Sequence, residues 1–232
     1  MPSAGMSPNK PLPRIFKSDF LEMFTRVHPI IPILYWPPIV AYLIYRSFAI
    51  YELSPITVGL LGAAGAFFWT FTEYVMHRFL FHFESDHPVA KRLVFMFHGV
   101  HHDAPNDAGR LVMPPLVGTV LAAGFFGIFQ LVLGLAWATP FMAFFIVGYL
   151  CYDYIHFATH HFKPRTAFGR YLKHTHMVHH YSSPNSRWGV STPFWDIVFG
   201  TFYEKDAAGG KYGSKFSEDQ SSNPKFGQEA TQ

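Results

Sequence analysis

Residues 111–152 read LVMPPLVGTVLAAGFFGIFQLVLGLAWATPFMAFFIVGYLCY, a run of 42 residues without Asp, Glu, Lys or Arg. A helix that crosses a bilayer needs about 20 predominantly apolar residues. The run is therefore long enough for two spanning helices, joined by a tight bend at 134–139. The alternative, buried core helices in a soluble protein, is disfavoured because the uncharged run is so long. This stretch favours a membrane protein.

Two shorter uncharged runs, at 27–45 and 53–72, precede it. Together the three runs predict four spanning helices, at roughly 31–50, 55–76, 112–134 and 138–156. The first is the least regular because prolines, which interrupt helical hydrogen bonding, occur at its start and inside it. We therefore expect the fold class to be all-α, an integral membrane protein with four transmembrane helices.

The composition agrees with this class. Half of the 232 residues are hydrophobic and 14% are charged, against about 25% charged in ordinary soluble domains. The single cysteine, Cys151, excludes an internal disulfide framework and an all-cysteine metal cluster. The net charge of +3 comes from basic residues spread along the chain, which disfavours nucleic acid as a partner.

Basic residues are distributed unevenly between the two sides that four spans define. With both termini on one side, Arg46 is the only one of the eighteen Lys and Arg residues on the other. The positive-inside rule then places both termini and the middle loop in the cytoplasm. The expected organisation is a cytosolic N-terminal tail (1–26), a membrane-embedded domain (27–205) and a polar, disordered C-terminal tail (206–232).

Histidine is the unusual residue of this chain: there are fourteen, and thirteen lie between positions 77 and 180. They form the motifs HRFLFH (77–82), HGVHHDAP (98–105), HFATH (156–160) and HMVHH (176–180). An even number of spans brings segments 77–110 and 156–203 to the same face of the membrane. The four motifs can therefore share one helical cytosolic cap.

The spacing within these motifs is typical of metal ligands on helices. Residues three and four apart lie on one side of a helix, so each triplet and the pair at 156–160 can point to one place. His77 and His82 are five apart, about 140° of turn, and converge only if the helix bends or ends between them. Ten imidazoles exceed the needs of one ion and fit two. The predicted ligands are His77, His82, His98, His101, His102, His156, His160, His176, His179 and His180.

The remaining four histidines are expected to bind no metal. His28 and His87 are isolated, so we expect hydrogen-bonded core or surface residues there. His161 and His174 are adjacent to ligand motifs and are expected to support them or to lie on the surface.

Acidic residues near the ligands are candidates for orienting them, because a metal-bound histidine usually donates its second ring N–H to a carboxylate or carbonyl. Glu73 lies four residues before His77, and Asp153 lies three before His156. Both acids lie near the end of an apolar span, where a charge is costly and usually functional. Asp103 is a weaker candidate.

The four histidine motifs resemble those of the fatty acid hydroxylase superfamily, nearest to the fatty acid 2-hydroxylases that act on sphingolipid acyl chains. The stretch WGVSTPFWDIVFGT (188–201) also resembles that branch, and the likeness covers roughly 65–205. It implies a dimetal centre under a cytosolic cap on four transmembrane helices. It further implies O₂-dependent insertion of a hydroxyl at C2 of a long acyl chain, in a lipid such as a ceramide or free fatty acid.

The resemblance also implies cofactors and partners. The two metal ions are expected to be iron in the working enzyme, although zinc can occupy the site in purified protein because it binds imidazole more tightly. Asp153 and Tyr152 are the expected catalytic residues, with Tyr152 near the reacting carbon. Six aromatic residues are candidates to line a path for the acyl chain: Phe68, Trp69, Phe71, Tyr149, Tyr152 and Tyr154.

One departure from the family's pattern concerns electron supply. Many eukaryotic members carry an N-terminal cytochrome b5 domain with an HPGG motif, which this sequence lacks. A separate donor, a cytochrome b5-like protein or a ferredoxin, is therefore expected. The expected location is the endoplasmic reticulum membrane in a eukaryote or the cytoplasmic membrane in a bacterium, with the metal site on the cytoplasmic side.

Other functions remain open. Oxidation or desaturation of sterols or carotenoids uses similar histidine motifs. A zinc protease of the HExxH type is disfavoured, because that motif does not occur in the sequence. A metal-storage or transport protein would need polar residues along an ion path, and the notable ones in 111–152 are Thr119, Gln130 and Thr139. A purely structural zinc cap is a further alternative.

Overall fold

The structure is a computed structural model that describes residues 14–203, and these residues form helices and no strand. The helices are α1 (Asp19–Met23), α2 (Ile30–Ala49), α3 (Pro55–Val75), α4 (Pro88–Val94), α5 (Val100–Asp103), α6 (Pro115–His161), α7 (Ala167–Tyr181) and α8 (Phe194–Val198). The all-α prediction is thus confirmed for the described residues. The predicted C-terminal tail and residues 1–13 of the N-terminal tail lie outside them.

The long helix α6 folds back on itself at Gly134. This residue has φ 74° and ψ 158°, a conformation that only glycine adopts without strain. Residues on either side of the break then meet: the ring centroids of Phe129 and Phe141 are 4.8 Å apart, and those of Phe125 and Phe145 are 5.2 Å apart. The predicted bend at 134–139 is confirmed at its first residue, and α6 is a hairpin of two arms.

Two helices are long and apolar enough to cross a membrane, Pro55–Phe81 and Ala108–His161, and the second contains the hairpin. Their outer surfaces are apolar: Ile56, Leu116 and Leu131 are 75%, 76% and 89% exposed. Such exposure suits contact with lipid tails better than contact with water. The four predicted spans overlap α2, α3 and the two arms of α6 and extend at most three residues beyond them, while the number of crossings stays a prediction.

Glycines allow α3 to pack closely against α6, as small residues do between helices in membranes. A β-carbon at Gly65 would overlap the backbone carbonyl of Phe141. A β-carbon at Gly148 would lie 2.6 Å from the β-carbon of Trp69. The two helices therefore touch along their backbones.

Replacing Gly65 by alanine is expected to push α3 away from α6, because the carbonyl it would strike is backbone and cannot rotate aside. We expect a loss of about 1–3 kcal/mol of stability, the usual cost of overpacking, seen as a lower melting temperature in detergent. Gly124→Ala is the control, since nothing lies within 4 Å of a β-carbon there. An equal melting temperature for both variants would contradict the close packing.

A π-helical turn, Met76–Phe81, continues α3 at its C-terminal end. Hydrogen bonds in such a turn connect residues five apart, and π turns are frequent at functional sites. The wider turn brings His77 and His82 together, with ring centroids 5.1 Å apart. The spacing predicted that the helix bends or ends between His77 and His82. In the structure the helix instead widens into a π turn there. A second π turn, Phe95–Gly99, carries His98 into α5.

The segment before α2 packs against later parts of the chain, where it bonds to Arg92 and Arg110. Glu22 accepts hydrogen bonds from the amides of Ile15 (3.0 Å) and Phe16 (2.8 Å) and pairs with the buried Arg110. Burial alone would raise the pKa of Glu22, but the Phe16 amide and the Arg110 guanidinium outweigh it and hold that pKa below its usual value. Residues 14–26 of the predicted tail are therefore part of the fold.

Candidate metal centre

The structure brings all ten predicted ligands together, in two groups of five. In each group the ligand nitrogens all lie within 4.8 Å of one another. The first histidine group is His77, His82, His98, His102 and His179. The second histidine group is His101, His156, His160, His176 and His180.

Each H-x2-H-H triplet divides between the two groups. His98 and His102 are four residues apart and share one side of the helix, while His101 faces the other group. Likewise His176 and His180 enter the second group and His179 enters the first. The sequence spacing alone allowed each triplet to serve a single ion, and the structure instead uses both triplets to join two sites.

The two groups adjoin each other. The rings of His102, in the first group, and His180, in the second, are stacked with centroids 4.2 Å apart. The rings of His98 and His101 also face one another across the boundary, at 5.3 Å. Two ions held by these groups would be neighbours rather than separate sites.

Backbone carbonyls fix the orientation of two rings in the first group. The Nδ1 of His77 donates to the carbonyl of Trp188, and the Nδ1 of His179 donates to that of Ser186 at 2.8 Å. Because a carbonyl only accepts, each Nδ1 carries the proton in these neutral rings and each Nε2 presents a lone pair. The Nε2 atoms of His82 and His179 are buried without a hydrogen-bond partner among the described residues.

The spacing of the nitrogens fits metal coordination. Two nitrogens that bind one ion at about 2.1 Å with a right angle between them are about 3.0 Å apart. The Nε2 atom of His101 lies 3.0 Å from those of His156 and His180, and the Nε2 of His98 lies 3.0 Å from that of His102. Clustered lone pairs repel one another unless a cation lies between them. The residues therefore fit two imidazole-bound metal ions.

The histidines of the two groups are held in the neutral form that binds metals. Burial lowers the pKa of His82 to about 4 and that of His102 to about 3. Burial, followed by repulsion from neighbouring imidazoles, lowers the pKa values of His101 and His176 well below the usual 6.5. At neutral pH each of these rings therefore keeps one unprotonated nitrogen whose lone pair is free to bind a metal ion.

The family model described as "Fatty acid hydroxylase" matches residues 62–201, which include all ten of these histidines. The chain belongs to the fatty acid hydroxylase family. The match agrees with the resemblance drawn from the four histidine motifs.

Relatives of this fatty acid hydroxylase include the "Ceramide very long chain fatty acid hydroxylase SCS7" of Saccharomyces cerevisiae, 39% identical over 82% of this chain and 49% of the relative. The "Dihydroceramide fatty acyl 2-hydroxylase FAH2" of Arabidopsis thaliana is 36% identical over 82% of this chain and 79% of the relative. A solved structure, "Full length scs7p (only hydroxylase domain visible)", matches with a TM-score of 0.75 and 38% identity, covering 83% of this chain and 73% of that one. The chain spans about half the length of the yeast relative.

The two acids predicted to orient ligands in this fatty acid hydroxylase do so indirectly or not at all. Glu73 accepts from the amides of Val190 (2.6 Å) and Ser191 (2.8 Å) and from the Ser191 hydroxyl. Asp153 accepts from the Tyr149 hydroxyl (2.9 Å) and the Met113 amide (3.3 Å). Direct hydrogen bonds to the rings of His77 and His156 were therefore a wrong expectation.

Glu73 instead anchors the loop whose carbonyls orient the rings of the first group. Asp196 anchors the same loop, accepting from the amides of Trp188 (3.0 Å) and Gly189 (2.7 Å). Asp196 is completely buried, and the sequence reasoning missed it. The sequence did contain a signal for Asp196. This acid lies between the apolar residues Trp195 and Ile197, where a charge is as unexpected as that of Glu73.

The other predicted residues fall into two sets. Tyr152 is buried against the second histidine group, and its ring stacks on His156 with centroids 5.8 Å apart. Asp103 is exposed. The four histidines expected to bind no metal are exposed and belong to neither group: His28, His87, His161 and His174.

Proposed function

We propose that this fatty acid hydroxylase is an O₂-dependent dimetal monooxygenase that places a hydroxyl at C2 of a long acyl chain in a lipid such as a ceramide or free fatty acid. The observation that carries the proposal is the pair of adjoining five-histidine groups at the ends of apolar helices. The printed names of the relatives, ceramide hydroxylase and fatty acyl 2-hydroxylase, support the substrate class.

The groups suit redox metals. Two iron ions bound there would supply the electrons and Lewis acidity that the activation of O₂ requires, which no side chain can supply. The ten histidines would hold the ions, and the carbonyls of Ser186 and Trp188 keep two rings in the tautomer that binds metal. Burial of His77, His98 and His179 excludes water from the first group.

The position of the groups suits hydroxylation at C2. That carbon lies beside the polar carbonyl of an acyl group, at the depth of lipid headgroups, while the tail remains in hydrocarbon. We propose four membrane crossings, in α2, α3 and the two arms of α6, with the histidine groups in a cytosolic cap. Tyr152 then lies beside the reacting carbon. Asp153 acts as a positioning residue, because it ties Met113, two residues before α6, to Tyr149 in the second arm of α6.

Electrons would come from a separate carrier protein, of the cytochrome b5 or ferredoxin type. The protein would reside in the endoplasmic reticulum membrane of a eukaryote or the cytoplasmic membrane of a bacterium. Metal transport is less well supported, because few polar residues lie in the apolar run 111–152, and Thr119 and Thr139 each donate to a carbonyl of their own helix (2.7 Å).

The test is the lipid profile of a host that expresses the full chain. We expect acyl chains that gain one oxygen at C2, measured by mass spectrometry with fragmentation to locate the hydroxyl. Chelation should abolish the product, and ferrous iron but not zinc should restore it, because zinc has no redox chemistry. Oxidised sterols or carotenoids in place of 2-hydroxy acyl chains would show that the substrate class is wrong.

A further inference from the structure

A narrow apolar cavity lies between α2, α3 and the two arms of α6. At its upper end are Met76, next to His77 of the first histidine group, and Met113 and Tyr149. The Met113 amide and the Tyr149 hydroxyl both bind Asp153, one helical turn before His156 of the second group. The upper end of the cavity is therefore connected to the first group through Met76 and to the second group through the bonds to Asp153, although no ligand histidine lines it.

The lower end of the cavity is closed by phenylalanine rings. Ala122, Phe125 and Phe145 line this end, and the rings of Phe125 and Phe145 are 5.2 Å apart. Below them, Phe129 packs at 5.2 Å on Phe145. Since α3 and α6 touch at Gly65, the space between them does not continue downward. Phe125 and Phe145 therefore form the floor of the cavity.

We propose that this cavity binds the substrate's acyl chain and that Ala122 and Phe125 set the length of the chain it accepts, an inference that rests on the proposed function. The walls are apolar, and the Tyr149 hydroxyl is engaged by Asp153. A single saturated chain matches such a slot. Of the six aromatic residues expected along a chain path, two line the cavity, Trp69 and Tyr149.

The helical geometry gives the chain length. Phe145 precedes His156 by eleven residues of one arm of α6, about 16 Å of helix. A fully extended chain of single bonds spans roughly 1.2 Å per bond, one third of an extended residue. A chain that reaches from the histidines to this floor therefore has on the order of 14 carbons.

Changing the floor should change that length. Ala122 lies three residues above Phe125, about 4.5 Å along the helix, so a phenylalanine at 122 removes space for about four carbons. A leucine at 122 is smaller than phenylalanine and removes less of this space. The matched control is Ala123→Phe, because Ala123 is the next residue on the same helix and is exposed.

Binding can be measured without the metal. The full chain in detergent, treated with a chelator, is loaded with a fluorescent fatty acid, which saturated fatty acids of graded length then displace. We expect the best competitor to be shorter by about four carbons for Ala122→Phe, shorter by a smaller amount for Ala122→Leu, and unchanged for Ala123→Phe. If Ala122→Phe does not accumulate, Ala122→Leu carries the test.

An unchanged optimum in the Ala122 variants would overturn the inference, as would an equal shift in Ala123→Phe. A sterol that displaces the probe better than any fatty acid would overturn it too. The length shift without any 2-hydroxy acyl product from the wild-type protein would support the binding site while refuting the proposed reaction. The two proposals therefore fail on different measurements.

Discussion

His101→Ala is expected to abolish the formation of 2-hydroxy acyl lipid and to remove one metal ion per chain. His101 is at the centre of the second histidine group: its Nε2 lies 3.0 Å from those of both His156 and His180. It also faces His98 and His102 across the boundary between the groups. Replacing a residue that only hydrogen-bonds to a metal ligand already lowers metal affinity or activity about 10–100-fold. Loss of the ligand itself should therefore lower activity more than about 100-fold.

Two measurements check this expectation. Elemental analysis of purified protein should find two metal ions per wild-type chain and one in His101→Ala, and mass spectrometry of host lipids should find no product. His161→Ala and His174→Ala are matched controls, since both residues are exposed neighbours of ligands and belong to neither group. Product formation that survives replacement of both His101 and His102 would refute the assignment of the ligands.

Much of the framework could be predicted from local sequence. The uncharged run at 111–152 predicts an apolar hairpin, and its bend occurs at Gly134, where the backbone needs a positive φ. The spacing of three and four residues in the motifs predicts rings that share a helix face. These features depend on helical periodicity, which the order of residues determines directly.

The division of the triplets and the meeting of His77 with His82 depend on more than periodicity. An α-helix separates residues five apart, and the π turn Met76–Phe81 overrides that separation. Whether His101 faces His98 or His156 depends on how α5 packs against α6 and α7. Single-sequence spacing contains no information about that packing.

The role of Glu73 shows the same limit. Its distance of four residues from His77 predicted a direct contact, because residues four apart are neighbours on a helix. The carboxylate instead binds amides 117 and 118 residues away in sequence. The carbonyl of Trp188, which belongs to the same loop, takes the hydrogen bond from His77.

Glu73→Ala should therefore release the loop and disable the first histidine group before the second. The change leaves two buried amides and the Ser191 hydroxyl without their acceptor, and each buried unsatisfied donor costs about 1–3 kcal/mol. We expect a loss of at least about 3 kcal/mol in stability and a fall of about 10–100-fold in activity. The melting temperature, the metal content and the product yield measure these effects.

The number of metal ions that Glu73→Ala retains distinguishes control of the loop by Glu73 from a general packing defect. Because the loop orients His77 and His179, both in the first group, Glu73→Ala should retain one metal ion per chain rather than none. Glu73→Gln keeps one acceptor oxygen for the amides and should recover part of the metal content. Glu84→Ala, which removes an exposed acid, should match wild type. Two ions retained in Glu73→Ala at full stability would mean that the loop does not control the site.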